Sequence, residues 1–141
     1  MKTSPITKAR IDELLRFLPA FSSKGQSLNP TWRGGEQDDS GVWTMPWPSY
    51  PETVREFFRL AAKPCWNDYN YNPSDAGEMV GDDATIAGAT LAQIKTMLTY
   101  CVRGERFCDG HWQEMFETGR ILALLRRLQA LRDEGRVPRG R

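Results

Sequence analysis

The 141 residues, 40% hydrophobic and 26% charged, suit one soluble globular domain and exclude wholesale disorder. Nineteen Lys and Arg against eighteen Asp and Glu leave a net charge of +1, which excludes a strongly polycationic nucleic-acid coat. No apolar run approaches the ~20 residues that span a bilayer, and the start MKTSPITKARIDELLRFLP lacks the continuous apolar core of a signal peptide, so a cytoplasmic location without membrane contact is expected.

In chain order, Ser4-Pro5 reads as an N-cap followed by proline at the first helical position, with Ile11, Leu14, Leu15 and Leu18 on one stripe. Residues 20–49 are rich in Gly, Ser, Asn and Pro yet hold Trp32, Trp43 and Trp47. Exposing three tryptophans is unfavourable, so this loop is expected to lie on the body. A short extended piece at Val42–Met45, and at most a short hairpin, are expected within it. Ser49 with Glu52 forms a capping box around Pro51; Val54, Phe57, Phe58 and Ala61 follow at helical spacing until Pro64. Cys65–Asn72 then alternates aromatic and polar residues, and helical turns are expected near Pro73–Val80 and around 83–88. Thr90 with Gln93 is a second capping box, ahead of Leu91, Ile94, Leu98, Cys101 and Val102 on one face, ending at Gly104. Asp109 can cap a short helix over 110–118, and a last helix from about 120 to 134 aligns Ile121, Leu124, Leu125, Leu128 and Leu131. The expected fold is all-α: an orthogonal bundle of five or six helices wrapped by an aromatic loop. Residues 1–134 form its single domain, with a basic tail over 135–141.

Charge is unevenly spread. Residues 1–63 carry nine basic and seven acidic side chains, residues 64–119 three and nine, and residues 120–141 seven arginines and two acids. Such a dipole can steer a charged partner or favour head-to-tail association, so a homodimer is one arrangement open to the chain. The arginines of the basic end can contact phosphate. At ~100° per residue, however, Arg120, Arg126, Arg127 and Arg132 spread around the last helix and Asp133 and Glu134 interrupt them, which argues against nucleic acid as the partner.

The segment richest in chemistry is Cys101–Trp112, which holds Arg103, Glu105, Arg106, Asp109 and the only histidine, His111. Two arginines offer planar forks suited to carboxylate or phosphate, and Glu105 and Asp109 can hold guanidiniums in place. At least one of Arg103 and Arg106 is expected to make a charge-assisted contact with Glu105, Asp109 or the acidic 68–83 segment and so fix the angle between the helices at 90–103 and 110–118. Cys65, Cys101, Cys108 and His111 resemble a zinc set in composition only. Just one pair sits at short spacing, so no metal and no cofactor is expected, and the thiols are expected to be reduced and mostly buried. Three cysteines cannot close a disulfide set, in keeping with a reducing compartment. A nucleophile elbow, a phosphate loop of the Walker type and a dinucleotide fingerprint are all absent from the sequence.

The phrase TMLTYCVRGERFCDGHW, with YPETVREFFRLAAKPCWNDYNY upstream and GRILALLRRLQALR downstream, resembles a family of short bacterial proteins of unknown function. The resemblance covers roughly residues 50–134 and implies a helical bacterial protein with no assigned activity. The residues themselves favour an interaction module without catalysis, binding a protein or a small anionic ligand. Its site is expected at Arg103, Glu105, Arg106, Asp109, His111 and Trp112, beside Trp43, Trp47, Trp66 and Tyr69. The alternatives are a small enzyme using Glu105, Asp109 and His111 with arginine anion clamps, or a nucleic-acid accessory protein using the arginine-rich end.

Overall fold

The computed structural model describes residues 5–23 and 28–135. In chain order these residues form α1 (Lys8–Leu15), α2 (Leu18–Ser22), β1 (Thr31–Arg33), β2 (Trp47–Ser49), α3 (Glu52–Ala61), α4 (Pro73–Val80), α5 (Asp83–Ala87), α6 (Leu91–Arg103), α7 (His111–Glu117) and α8 (Arg120–Asp133). Two 3-10 turns, Pro64–Trp66 and Gly104–Arg106, lead out of α3 and α6. The chain is mainly helical, as its amphipathic stripes predict, but it divides into more and shorter helices than expected.

The first division shows why. Ser4 lies outside the described residues; α1 starts at Lys8, and the Thr7 hydroxyl accepts the Arg10 N–H at 3.3 Å. The stripe predicted to run on to Leu18 breaks at Phe17, and α2 restarts at Leu18 with Pro19 in its first turn. Proline has no N–H, and its ring clashes with the carbonyl one turn back, so one helix cannot pass through position 19. Both short helices still bury their apolar sides, through Ile11, Leu14, Leu15 and Phe21.

The expected capping box at Ser49 and Glu52 does not form. Ser49 pairs with Thr31 in the ribbon, and Pro51 takes the N-cap position of α3. Its counterpart at Thr90 and Gln93 does form, with reciprocal bonds of 3.2 and 2.8 Å.

Helix α8 carries the centre of the core. Ile121, Leu124, Leu125, Leu128 and Leu131 are buried, and α1, α2, α5, α6 and α7 pack on it. Beside it, Phe21 meets Phe116 edge-on at 4.8 Å and Phe57 at 5.1 Å. Phe58 stacks on Trp112 at 4.1 Å. Such pairs contribute about 0.5–1.5 kcal/mol each beyond area burial.

The aromatic loop closes as an antiparallel ribbon with Thr31 opposite Ser49, Trp32 opposite Pro48 and Arg33 opposite Trp47. Toward the tip, the Gly35 N–H donates to the Thr44 carbonyl (2.6 Å) and Gln37 bridges Trp43. The Asp38 carboxylate closes the tip by accepting from Ser40 N, Ser40 Oγ and Val42 N at 2.7–2.9 Å. The tryptophans expected against the body are instead 47% (Trp32), 66% (Trp43) and 45% (Trp47) exposed. The ribbon pairs its own backbone and therefore needs no body to satisfy it. Its anchors are Trp32 Nε1, which donates to Gln113 Oε1 at 3.3 Å, and the buried Tyr50 at its root.

Three of the four arginines of α8 are braces. Arg120 pairs with Asp83, Arg132 with Asp12 (2.8 Å) and Asp133, and Arg127 donates to the Ala89 carbonyl at 2.9 Å. Arg136, Arg139 and Arg141, which make the expected tail basic, lie outside the described residues.

Candidate functional site

The site grows from the bend between α6 and α7. Helix α6 ends at Arg103, the 3-10 turn Gly104–Arg106 follows, and Gly110 enters the left-handed region (φ 91°) to start α7. A helix start leaves N–H groups without intrahelical partners. Here Glu105 supplies them: Oε2 accepts from Gly110 N at 2.9 Å, and Oε1 from Trp112 N at 2.8 Å. Tyr50 completes the set, donating its hydroxyl to Glu105 Oε1 (2.9 Å) and accepting from Gln113 N (3.2 Å). Burial first, and then the carboxylate it donates to, hold the Tyr50 phenol protonated well above the ordinary tyrosine value. The cap is therefore Glu105 rather than the expected Asp109. Asp109 is exposed and lines a neighbouring cavity with Glu105, Trp47 and Trp112.

Arg103 and Arg106 make no ion pair among the described residues, contrary to expectation. The acceptors they were expected to meet are engaged elsewhere: Glu105 by α7, and Asp68 by Thr96 Oγ1 (2.6 Å) and Asn70 N (3.0 Å). The Arg103 guanidinium instead lies over the Tyr71 ring, 5.7 Å from its centroid. Both arginines line a cavity of about 300 Å³ with Asn67, Tyr69 and Thr99. Arg106 also lines the next depression, which has Arg59, Phe58 and Trp112 in its wall and shares Ala62 and Val102 with the first. The wall is rigid where Thr99 is buried: its hydroxyl accepts from Asp68 N at 2.8 Å and fixes the 66–70 segment to α6.

The remaining expected residues separate. Tyr69 is half exposed on the arginine cavity, but Trp66 is fully buried in the core, its Nε1 without a hydrogen-bond partner among the described residues, because the Pro64–Trp66 turn folds it under α6. Trp112 packs between Phe58 and Tyr50, and its Nε1 donates to the Val102 carbonyl at 3.2 Å. His111 is only 6% exposed, and burial lowers its pKa against the opposing pull of Glu105 and Glu114. Its Nε2 has no hydrogen-bond partner among the described residues, and its ring lies so close to Gly104 that a Cβ there would approach it to 2.3 Å. With Tyr71, Tyr100, Phe107 and Cys108 it lines a separate cavity of about 390 Å³.

Cys65 and Cys101 are buried, and burial pushes the Cys101 thiol up to about 12. Cys108 is exposed, which corrects the expectation for that thiol; Phe107 beside it is exposed too, because the bend turns both outward. Among the described residues no three His, Cys, Asp or Glu side chains gather into a set that could hold a metal ion. No helix of the described residues is long and apolar enough to cross a membrane.

Sequence reasoning missed Tyr50, Asn67, Thr99 and Arg59. The first three owe their place to contacts more than thirty positions away or to the loop after α3, which no local spacing announces. Arg59 sits four positions after Arg55 on the same helix and could have been noticed as a basic row.

The arrangement defines a helical protein with an arginine-rimmed cavity at the ends of α3 and α6. Residues 6–134 match a family of unknown function, DUF6508, and the chain belongs to that family. No curated protein and no solved structure matches it.

Proposed function

We propose that this is a cytoplasmic bacterial binding module, an orthogonal helical bundle that holds a small anionic ligand without catalysis. The observation that carries it is the pair Arg103 and Arg106, which share one cavity and have no carboxylate partner among the described residues. Uncompensated guanidiniums beside a concave wall favour phosphate or carboxylate, and two charges outweigh the roughly half-charge of opposite sign at each nearby helix C-terminus. Tyr69 at the rim and Asn67 in the wall add an aromatic surface and an amide for orientation.

An enzyme built on Glu105, Asp109 and His111 lacks the same support. Glu105 and Asp109 line one cavity and His111 another, and both oxygens of Glu105 are committed to α7 and Tyr50.

Calorimetric titration with inorganic phosphate, phenyl phosphate and benzoate tests the proposal. Wild type should bind at least one of them, and Arg103→Ala and Arg106→Ala should each weaken it tenfold or more while the control Arg126→Ala does not. Absence of binding to all three, or binding that survives both substitutions, overturns it.

A further inference from the structure

Seven large apolar side chains of the described residues stand exposed, and five of them belong to the ribbon: Trp32, Val42, Trp43, Met45 and Trp47. Met45 is 83% and Trp43 66% exposed. We propose that the ribbon face of Trp43, Met45 and Trp47 docks a basic, extended segment of another protein, with one Lys or Arg of that segment entering the slot between Trp47 and Trp112.

Four observations support the assignment. First, the patch is concentrated: Trp43, Met45 and Trp47, at alternate positions of one strand, share a face, while Trp32 stands on the other face against Gly110 and Gln113, and the three expose an area on the order of that which marks functional apolar patches, ~300–600 Å². Second, it is preorganised. The tip is closed by three bonds to Asp38, and the Trp47 ring covers Gly34, where a Cβ would approach it to 2.7 Å, so the aromatics are presented with little ordering left to lose on binding. Tryptophans held this way are the usual anchors of interfaces.

Third, the ribbon is acidic, with Glu36, Asp38 and Asp39 against Arg33. Two copies meeting face to face across a two-fold axis would set acid near acid, whereas a basic segment meets complementary charge. Fourth, the patch continues into a cavity of about 470 Å³ lined by Trp47, Tyr50, Glu105, Asp109 and Trp112. The cation on its rim, Arg55, is already paired with Glu52 at 2.6 Å. Aromatic faces beside the exposed Asp109 carboxylate are the chemistry that receives an ammonium or guanidinium. This surface is distinct from the arginine cavity and selects the opposite charge.

The probe is a phage-displayed random dodecapeptide library, panned on the whole protein with counter-selection against W43S/M45S. Both of those side chains are exposed, so the variant should melt as wild type does. Recovered peptides should carry Lys or Arg next to an apolar residue. A resynthesised peptide should lose at least tenfold in affinity for W43S/M45S and for Asp109→Ala, while Arg103→Ala binds it as wild type does. The proposal is overturned if no peptide is held better by wild type than by W43S/M45S, or if the recovered peptides are acidic or uncharged. It is also overturned if sedimentation equilibrium shows a wild-type dimer that W43S/M45S dissociates, which would assign the ribbon to a second copy.

Discussion

Burial between α6 and α7 keeps a proton off His111 that the unfolded chain accepts. Below pH about 6.5 the unfolded ring charges while the folded one resists, so the unfolded state binds more protons and stability falls with falling pH. The unfolding free energy measured by urea titration should therefore decline between pH 7.5 and 5.5. His111→Phe, which keeps a ring there without titrating, should flatten that decline; an unchanged slope would show that other groups govern it. The residue was legible as chemically loaded, being the only histidine in a charged bend. Its burial was not, since that depends on Gly104 lacking a side chain and on Tyr100 closing over the ring at 5.0 Å. Trp66 shows the same limit: the residues that follow it, Asn67 and Asp68, are polar, and only the turn after α3 decides that it faces inward.

At the scale of the element, α7 is held at its start by a carboxylate five residues upstream and a phenol from the ribbon's root. Glu105→Ala should cost about 2–3 kcal/mol in unfolding free energy, since charge-assisted bonds to N–H groups with no other partner are lost. Glu105→Gln, which keeps one acceptor oxygen, should cost less. Asp109→Ala should stay within ~0.5 kcal/mol, as exposed substitutions away from such features do. Chemical denaturation of the three variants checks the order, and a larger loss at Asp109 than at Glu105 would refute it. Caps that close within one turn, such as Thr90 with Gln93, were readable because both partners lie in the same four residues. Ser49 and Glu52 show the same spacing and fail, because pairing with Thr31 claims Ser49 first. The helices themselves were readable wherever a stripe repeats; the ribbon was visible only as an excess of tryptophan in a turn-rich stretch.

Across the described residues, the charge gradient that was evident in the sequence is closed in part by internal pairs. The basic end reaches the acidic middle through Arg120 and Asp83, and the start of the chain through Arg132 and Asp12. Exposed ion pairs add little, whereas the apolar side of α8 bears most of the core. Arg120→Ala should therefore cost under ~1 kcal/mol. Leu128→Ala, fully buried, should cost ~2–5 kcal/mol. Thermal and urea denaturation of the two should separate them clearly, and equal losses would mean that the braces matter as much as the packing. The packing of α1 on α8 also has a consequence for synthesis. Helix α1 meets α3 early, but its main partner α8 lies about 120 positions downstream, so part of the apolar side formed by Ile11, Leu14 and Leu15 stays uncovered until α8 has been made. A chaperone that holds the nascent chain should therefore engage α1 and leave it only as α8 appears.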